Sequence, residues 1–290
     1  MSKPNVMLGS LSIGHWTARK IDKASAGKIE ADAGAKSGVA SASKKLMHGV
    51  AEHEAIIKKA TLIRNEWSKI SLPWFDGRGG PRAVAAAGVM DISQQVGDWK
   101  REYFELVDAF IPVYGAQRAE RAFDMGTLFD PRDFPRLDEI KRKFYFEFSW
   151  CALPNADDIR LAEGLSKEEA EALAEEAREA EVSRLKTAMD TAASRLYEVV
   201  SSMHKTMAVP DAKFHNTKLE NINKLVDLMP GLNIANDPKL IELTKKAKLL
   251  ALKSPDELRN DVDARARAAK EAKTLAEQLA GAFDVDVEEE

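Results

Sequence analysis

Cysteine is nearly missing from this sequence: its 290 residues contain one, Cys151. A single thiol excludes an intrachain disulfide and any cysteine-based zinc framework, so Cys151 is expected as a small core or sheet residue. Histidine is also scarce. Of the five present, His48 and His53 stand five apart, which puts them on different faces of a helix, and no His-Glu-x-x-His pair occurs. The chain has no Gly-x-x-x-x-Gly-Lys-Ser/Thr loop, no dinucleotide fingerprint after a strand and no Gly-x-Ser-x-Gly elbow. Its many carboxylates fall in helix-surface runs rather than at spacings that would pair them. The expectation is a non-enzymatic protein with no catalytic residues, no cofactor and no metal. No apolar run approaches the ~18 residues of a membrane span, and the stretch Met1 to Ser10 lacks the charged-then-apolar layout of a signal peptide. A cytoplasmic protein with no membrane partner is expected.

What is present is a chain rich in Ala, Lys and Glu, with 44% hydrophobic and 31% charged residues, a balance that permits a real core and suggests long helices. The segment from Lys143 to Pro154 organises the rest. Phe144, Phe146, Phe148 and Trp150 fall on one side of a period-2 pattern and Tyr145, Glu147, Ser149 and Cys151 on the other, which reads as a strand with one aromatic face. That face needs a cover. Amphipathic helices of the same chain supply one, and the bases of a single-stranded nucleic acid would supply another.

Taken in order, residues 6–14 suit a strand leading to the basic, aromatic segment His15 to Lys20. Residues 24–43 are small-sided and read as a mobile loop, and 44–70 carries apolar residues at helical spacing. Leu72 to Arg82, with Pro73, Asp76-Gly77 and further glycines, reads as a hairpin around 72–86. A helix over 91–111 with a continuous apolar stripe is the first candidate to cover the aromatic strand, and Pro112 kinks or restarts it. After Pro154 the pattern is helical only. Ser166 and Glu169 form a capping box that opens one helix of about 40 residues. Its second half carries a heptad seam, Val182, Leu185, Met189, Ala192, Leu196, Val199 and Met203, whereas its Glu/Ala-rich first half is expected to project into solvent. A return helix from Phe214 to Met229 closes at Pro230-Gly231, and Asp237-Pro238 and Ser254-Pro255 start two more. The last, about 255–280, has few large apolar residues and is expected to dock weakly, ahead of an acidic, frayed tail from Phe283. The fold class is therefore α+β: a small, mainly antiparallel sheet packed on helices, followed by a long helical hairpin and further C-terminal helices. The expected division is 1–160 as core domain, 161–232 as hairpin, 233–282 as C-terminal helices and 283–290 as tail.

Several segments together resemble one family. They are Leu11-Ser12-Ile13 with Trp16 to Lys20, Leu72-Pro73-Trp74 with Asp76-Gly77, Leu128 to Pro135, the strand Phe144 to Pro154 continuing to Asp157, and Leu225 to Ile234 with Asn236-Asp237-Pro238. In these the chain is similar to a domain-of-unknown-function family widespread in tailed-phage and prophage genomes. The likeness covers most of residues 7–250 and leaves out 24–43 and the residues after about 255. It implies a phage origin and expression in the bacterial host cytoplasm, and it carries no catalytic residues.

Charge is unevenly spread. Residues 1–71 hold twelve Lys and Arg against six Asp and Glu, a balance of +6, which leaves −10 for the remainder of a chain whose total is −4. A basic N-terminal third with interleaved tryptophans fits a single-stranded DNA binding or annealing protein working as a homo-oligomer, with phosphate affinity from cations and stacking from aromatics. The candidate interface is Trp16, Arg19, Lys20, Trp74, Arg78 and Arg82. The alternative is a scaffold or adaptor whose 166–208 helix or acidic tail holds a phage or host protein, such as a phage ATPase, or whose heptad seam self-associates.

Overall fold

The computed structural model describes residues 6–75, 79–153, 164–209 and 213–285. Its elements run β1 (Val6–Gly14), β2 (Arg19–Ile21), α1 (Lys23–Asp32), β3 (Ser43–Lys45), α2 (Ala51–Ile70), β4 (Leu72–Pro73), β5 (Arg82–Ala85), α3 (Val89–Met125), α4 (Leu137–Ile140), β6 (Tyr145–Ala152), α5 (Lys167–Ala208), α6 (Thr217–Leu232), α7 (Pro238–Ala251), α8 (Pro255–Asn260) and α9 (Val262–Ala282). The fold is α+β, with a four-stranded sheet in the order β4-β5-β1-β6 and a separate two-stranded ribbon, β2-β3. The chain divides into two compact units. One comprises residues 1–10, 67–92 and 149–290; the other comprises 11–66 and 93–148.

In the unit containing 11–66 and 93–148, the aromatic strand is covered by helices of its own chain. Tyr103 and Phe110 of α3 meet Phe146 and Phe144 with ring centroids 6.2 and 5.9 Å apart, within the range of tilted and edge-on aromatic pairs. The carbonyls at the end of β1 are held from two helices: Tyr103 donates its hydroxyl to Gly14 O at 2.6 Å, and Arg64 of α2 donates to Ile13 O. A Lys59–Glu102 ion pair ties α2 to α3. Gly14 is a packing requirement, because a Cβ there would lie 1.9 Å from the Tyr145 ring. Pro112 lies inside α3 without ending it, since Phe110 and Tyr114 on either side are both buried and pack on each other at 5.8 Å. The missing hydrogen bond is outweighed by that anchoring.

His53, on α2, is buried in the same unit, with Nε2 2.8 Å from Trp16 O. A carbonyl only accepts, so Nε2 carries a proton. Burial lowers the His53 pKa. That of His15 falls for the same reason, reinforced by Arg64 and His53.

In the other unit, β4 and β5 form the expected hairpin, with Leu72 opposite Ala83 and Pro73 opposite Arg82, and β5 pairs antiparallel with β1 from Val6↔Ala85 to Gly9↔Arg82. Gly9 admits the rings of Trp67 and Trp150, which pack edge-on at 6.3 Å. The long helix α5 begins at the predicted capping box, where Ser166 accepts from Glu169 N and Glu169 accepts from Ser166 N. Its buried face is Ala188, Met189, Ala192, Ala193, Leu196, Val200, Met203 and Met207, packed with α6, α7 and α9. Val182 is 67% exposed and lies outside the seam.

Five expectations are corrected. Residues 24–43 are not a loop throughout: α1 forms because Asp22 caps it through Ser25, and buried Glu30 accepts from Gly38 N at 2.7 Å and Ala40 N at 2.9 Å, so the small-sided segment folds around one carboxylate. The helix expected from 44 begins at Ala51, after β3 and a turn in which Gly49 has φ +75°. Pro230 lies inside α6, which continues to buried Leu232; Asn233 then exchanges two hydrogen bonds with the Asp237 backbone to turn the chain. Helix 255–280 is two helices, because Asp261 caps a new start, and α9 does not dock weakly. Ala264, Ala268, Ala269, Ala272 and Ala276 are buried on it together with Leu275 and Leu279, and small side chains permit the close helix approach that large ones would otherwise fill. Arg265 donates to Thr206 O and Val209 O and so closes the C-terminal end of α5. Finally, the tail is anchored at its start, with Val285 buried and Asp284 N bonded to Asp190. Cys151 is a sheet residue, in β6, with its side chain exposed. On the expected projecting end of α5, Ala170 and Ala174 are buried while Glu168, Glu171 and Glu175 around them are exposed. The turn expected at Pro210-Asp211 and the acidic end of the tail lie outside the described residues.

Two outcomes follow from these contacts. Gly9→Ala should lower stability by about 1–3 kcal/mol in thermal or denaturant unfolding, since its Cβ would meet Trp67 at 2.7 Å. With folded-state His pKa values below the unfolded value of about 6.5, the unfolded chain binds more protons, so stability is complete above that pH and declines as pH falls through it. The melting temperature should drop between pH 7.5 and about 5.5, and His53→Gln should show a shallower drop.

Candidate nucleic-acid interface

The ribbon β2–β3 pairs cations with cations. Arg19 lies opposite Lys45 and Lys20 opposite Lys44 in an antiparallel register, with Ile21 opposite Ser43. Directly opposed like charges destabilise a strand pair, so this arrangement stands out in a three-residue ribbon. Because cross-strand partners and alternate residues share a face, Arg19, Ile21 and Lys45 lie on one side and Lys20 and Lys44 on the other. Lys44 is neutralised, by an ion pair with Asp133 and a 3.1 Å bond to Leu128 O. Arg19, Lys20 and Lys45 are exposed and make no ion pair among the described residues, and Ile21 is 74% exposed. Local backbone geometry presents the ribbon: Ala18 adopts φ +50°, uncommon for a residue with a Cβ, and its carbonyl accepts from Leu46 N at 2.7 Å. Lys23, Lys28 and Lys36 follow in α1 and its turn, all exposed, whereas Glu30 faces inward.

The other residues singled out from sequence are placed differently. Trp16 is 8% exposed, its indole edge-on to His53 and Tyr114, and Trp74 is 3% exposed in its unit's core. Both rings are spent on packing and offer no face for a base. Arg78 lies outside the described residues. Arg82 is a structural cation: its Nε donates to Ser71 Oγ at 2.7 Å and one terminal nitrogen to Ser71 O and Ser68 O at 2.9 and 3.2 Å. Arg195 of α5 reaches the same place and donates to Lys69 O and Ser71 O. Two guanidinium groups thus cap the C-terminal end of α2, where carbonyls without helical partners and the negative end of the helix dipole accept them. Burial and the neighbouring Arg195 lower the Arg82 pKa to about 10, which still leaves it charged at neutral pH.

No protein-family model, curated protein or solved structure matches this chain. The described residues contain no group of three or more His, Cys, Asp or Glu side chains able to hold a metal ion, and no described helix is long and apolar enough to cross a membrane. The interface therefore rests on its own geometry, and Lys45 is the residue that sequence reasoning missed. The signal was the repeat of a basic doublet, Arg19-Lys20 and Lys44-Lys45, on either side of a small-sided segment.

The role of Arg82 separates cleanly from nucleic-acid contact. Arg82→Ala should lower stability by about 1–3 kcal/mol because the α2 carbonyls lose charged donors, and Arg82→Lys should restore little because an ammonium group cannot fork between them. Melting curves of the two variants check this, with oligonucleotide affinity expected to stay at the wild-type value wherever the variant is folded.

Proposed function

We propose that this chain is a non-catalytic, single-stranded DNA binding protein of nucleic-acid metabolism that grips the phosphodiester backbone with the β2–β3 ribbon. The observation that carries the reading is the opposition of Arg19 to Lys45, both exposed and without an ion pair among the described residues. A ribbon that places like charges face to face loses stability in isolation and recovers it when an anionic polymer lies across it. Ile21, exposed on the same face as Arg19 and Lys45, offers an apolar contact for an unstacked base, a surface that a duplex keeps inside. The basic balance of the surrounding chain supports the same reading: residues 19–45 carry seven Lys and Arg against three acids, one of which is the inward-facing Glu30. In this reading affinity comes from cations and counterion release, with little contribution from tryptophan stacking, so binding is tolerant of sequence and sensitive to salt. A phage origin and action in a bacterial cytoplasm belong to the same proposal.

The test is fluorescence anisotropy of a labelled single-stranded oligonucleotide across a salt series, with duplex as comparison. Wild-type protein should bind the single strand more tightly than the duplex and lose affinity steeply with salt. Arg19→Glu/Lys20→Glu/Lys45→Glu should weaken binding and make the slope of log K against log salt shallower by about 2, at ~0.7 for each phosphate of a single strand that is no longer neutralised. Unchanged affinity in that triple variant would remove the ribbon from consideration.

A further inference from the structure

Helix α7 is apolar on two sides. Leu240, Leu243, Ala247, Leu250 and Ala251 are buried against its own unit, yet Ile241, Leu249 and Leu252 are 43%, 69% and 67% exposed. At helical spacing Ile241, Lys245, Lys248 and Leu252 follow at steps of four, three and four, so they form one outward crest. The crest stands between two grooves, one of about 480 Å³ against α9 and one of about 380 Å³ against α6. Its cations are uncommitted: Lys239 and Lys246 are bridged to Glu242, but Lys245 and Lys248 form no ion pair among the described residues. Arg267 and Lys270 line the α9 side of the larger groove. An occupant must therefore bring negative charge and something apolar together. A phosphate backbone brings only the first.

The same chain carries a surface of that description. On α5, Glu168, Glu171, Glu175 and Glu179 follow at steps of three, four and four and lead to Val182, the exposed valine of the helix, so they share one face. These carboxylates are separate from the capping box, which uses Glu169, and Glu175 pairs with its neighbour Arg178 on the same helix. Beyond Ala188 one face of α5 is buried, so most of the predicted heptad seam is consumed within the chain and the acidic half is what remains for assembly.

We propose that the α7 crest docks the acidic N-terminal face of α5 from a second copy of this chain. The two surfaces differ, so the contact is heterologous, and repeating it builds a head-to-tail ring or filament rather than a closed dimer. Exposed ion pairs contribute little singly. The contact depends on several at once, together with burial of Ile241 and Leu252 against the flank of α5, and it loosens in salt. The inference stands independently of the ribbon, since it involves neither Arg19 nor Lys45.

Sedimentation velocity on the full chain, freed of nucleic acid, tests it at rising concentration in low and high salt. Wild-type protein should form larger species as concentration rises, and high salt should dissolve them. Lys245→Glu/Lys248→Glu and, separately, Glu175→Lys/Glu179→Lys should each raise the concentration needed for assembly by about tenfold or more, an effect of ~1.4 kcal/mol. Combining all four changes in one chain should restore assembly, because opposite charges again meet. Leu252→Asp should abolish assembly while leaving the melting temperature near wild type. A chain that stays monomeric throughout would overturn the proposal. So would assembly indifferent to both charge reversals, or a four-fold variant that fails to recover.

Discussion

Strand β1 depends on two positions where a side chain cannot be accommodated. At Gly9 the rings of Trp67 and Trp150 occupy the space of a Cβ, and at Gly14 the ring of Tyr145 does the same. A strand with glycines loses packing area and chain stiffness, and aromatic neighbours return both by covering the bare backbone. The bulky side chains of β6 are seated by this exchange, and Arg64 and Tyr103 then satisfy the last carbonyls of β1. The aromatic strand, whose pattern in sequence also admits a ligand-facing surface, is finished by its own chain at the level of single ring contacts.

The cations of the molecule sort by what they can reach. Arg82 and Arg195 converge on the C-terminal carbonyls of α2, and Arg265 does the same for α5. Their planar, many-donor heads suit a fan of carbonyls, and the helix dipole favours them there. Arg19, Lys20 and Lys45 sit instead on a short ribbon whose strands pair with each other and whose cations face cations. A basic residue is informative about function only after the first class has been separated from the second. Lys44 illustrates the boundary, lying in the ribbon yet neutralised by Asp133.

Much of the architecture was legible because it depends on local rules. Period-2 aromatics marked β6, the Ser166–Glu169 box marked the start of α5, and Asp237-Pro238 marked α7. Two misreadings, of α1 and α9, share a physical cause: alanine-rich stretches look featureless when judged by side-chain size. Helix α9 packs because its side chains are small enough to let backbones approach, and α1 forms because Glu30 gathers a turn that has no apolar anchor of its own. Trp16 and Trp74 were singled out for being aromatic in a basic region, yet tryptophan's large apolar area makes burial its ordinary state.

By itself the sequence determined the fold class, the starts of α5, α7 and α8 and the excess of positive charge in the first third, since each follows from periodicity, capping chemistry or composition. Only the tertiary structure decided which cations are spoken for, which rings are core and which helix faces stay open, because those outcomes depend on residues far apart in the chain. Arg82 meets Arg195 across more than a hundred residues at one helix end, and Lys45 becomes Arg19's neighbour only through a strand register. Local physics specifies elements; long-range contact assigns the same side chain to structure or leaves it available for binding.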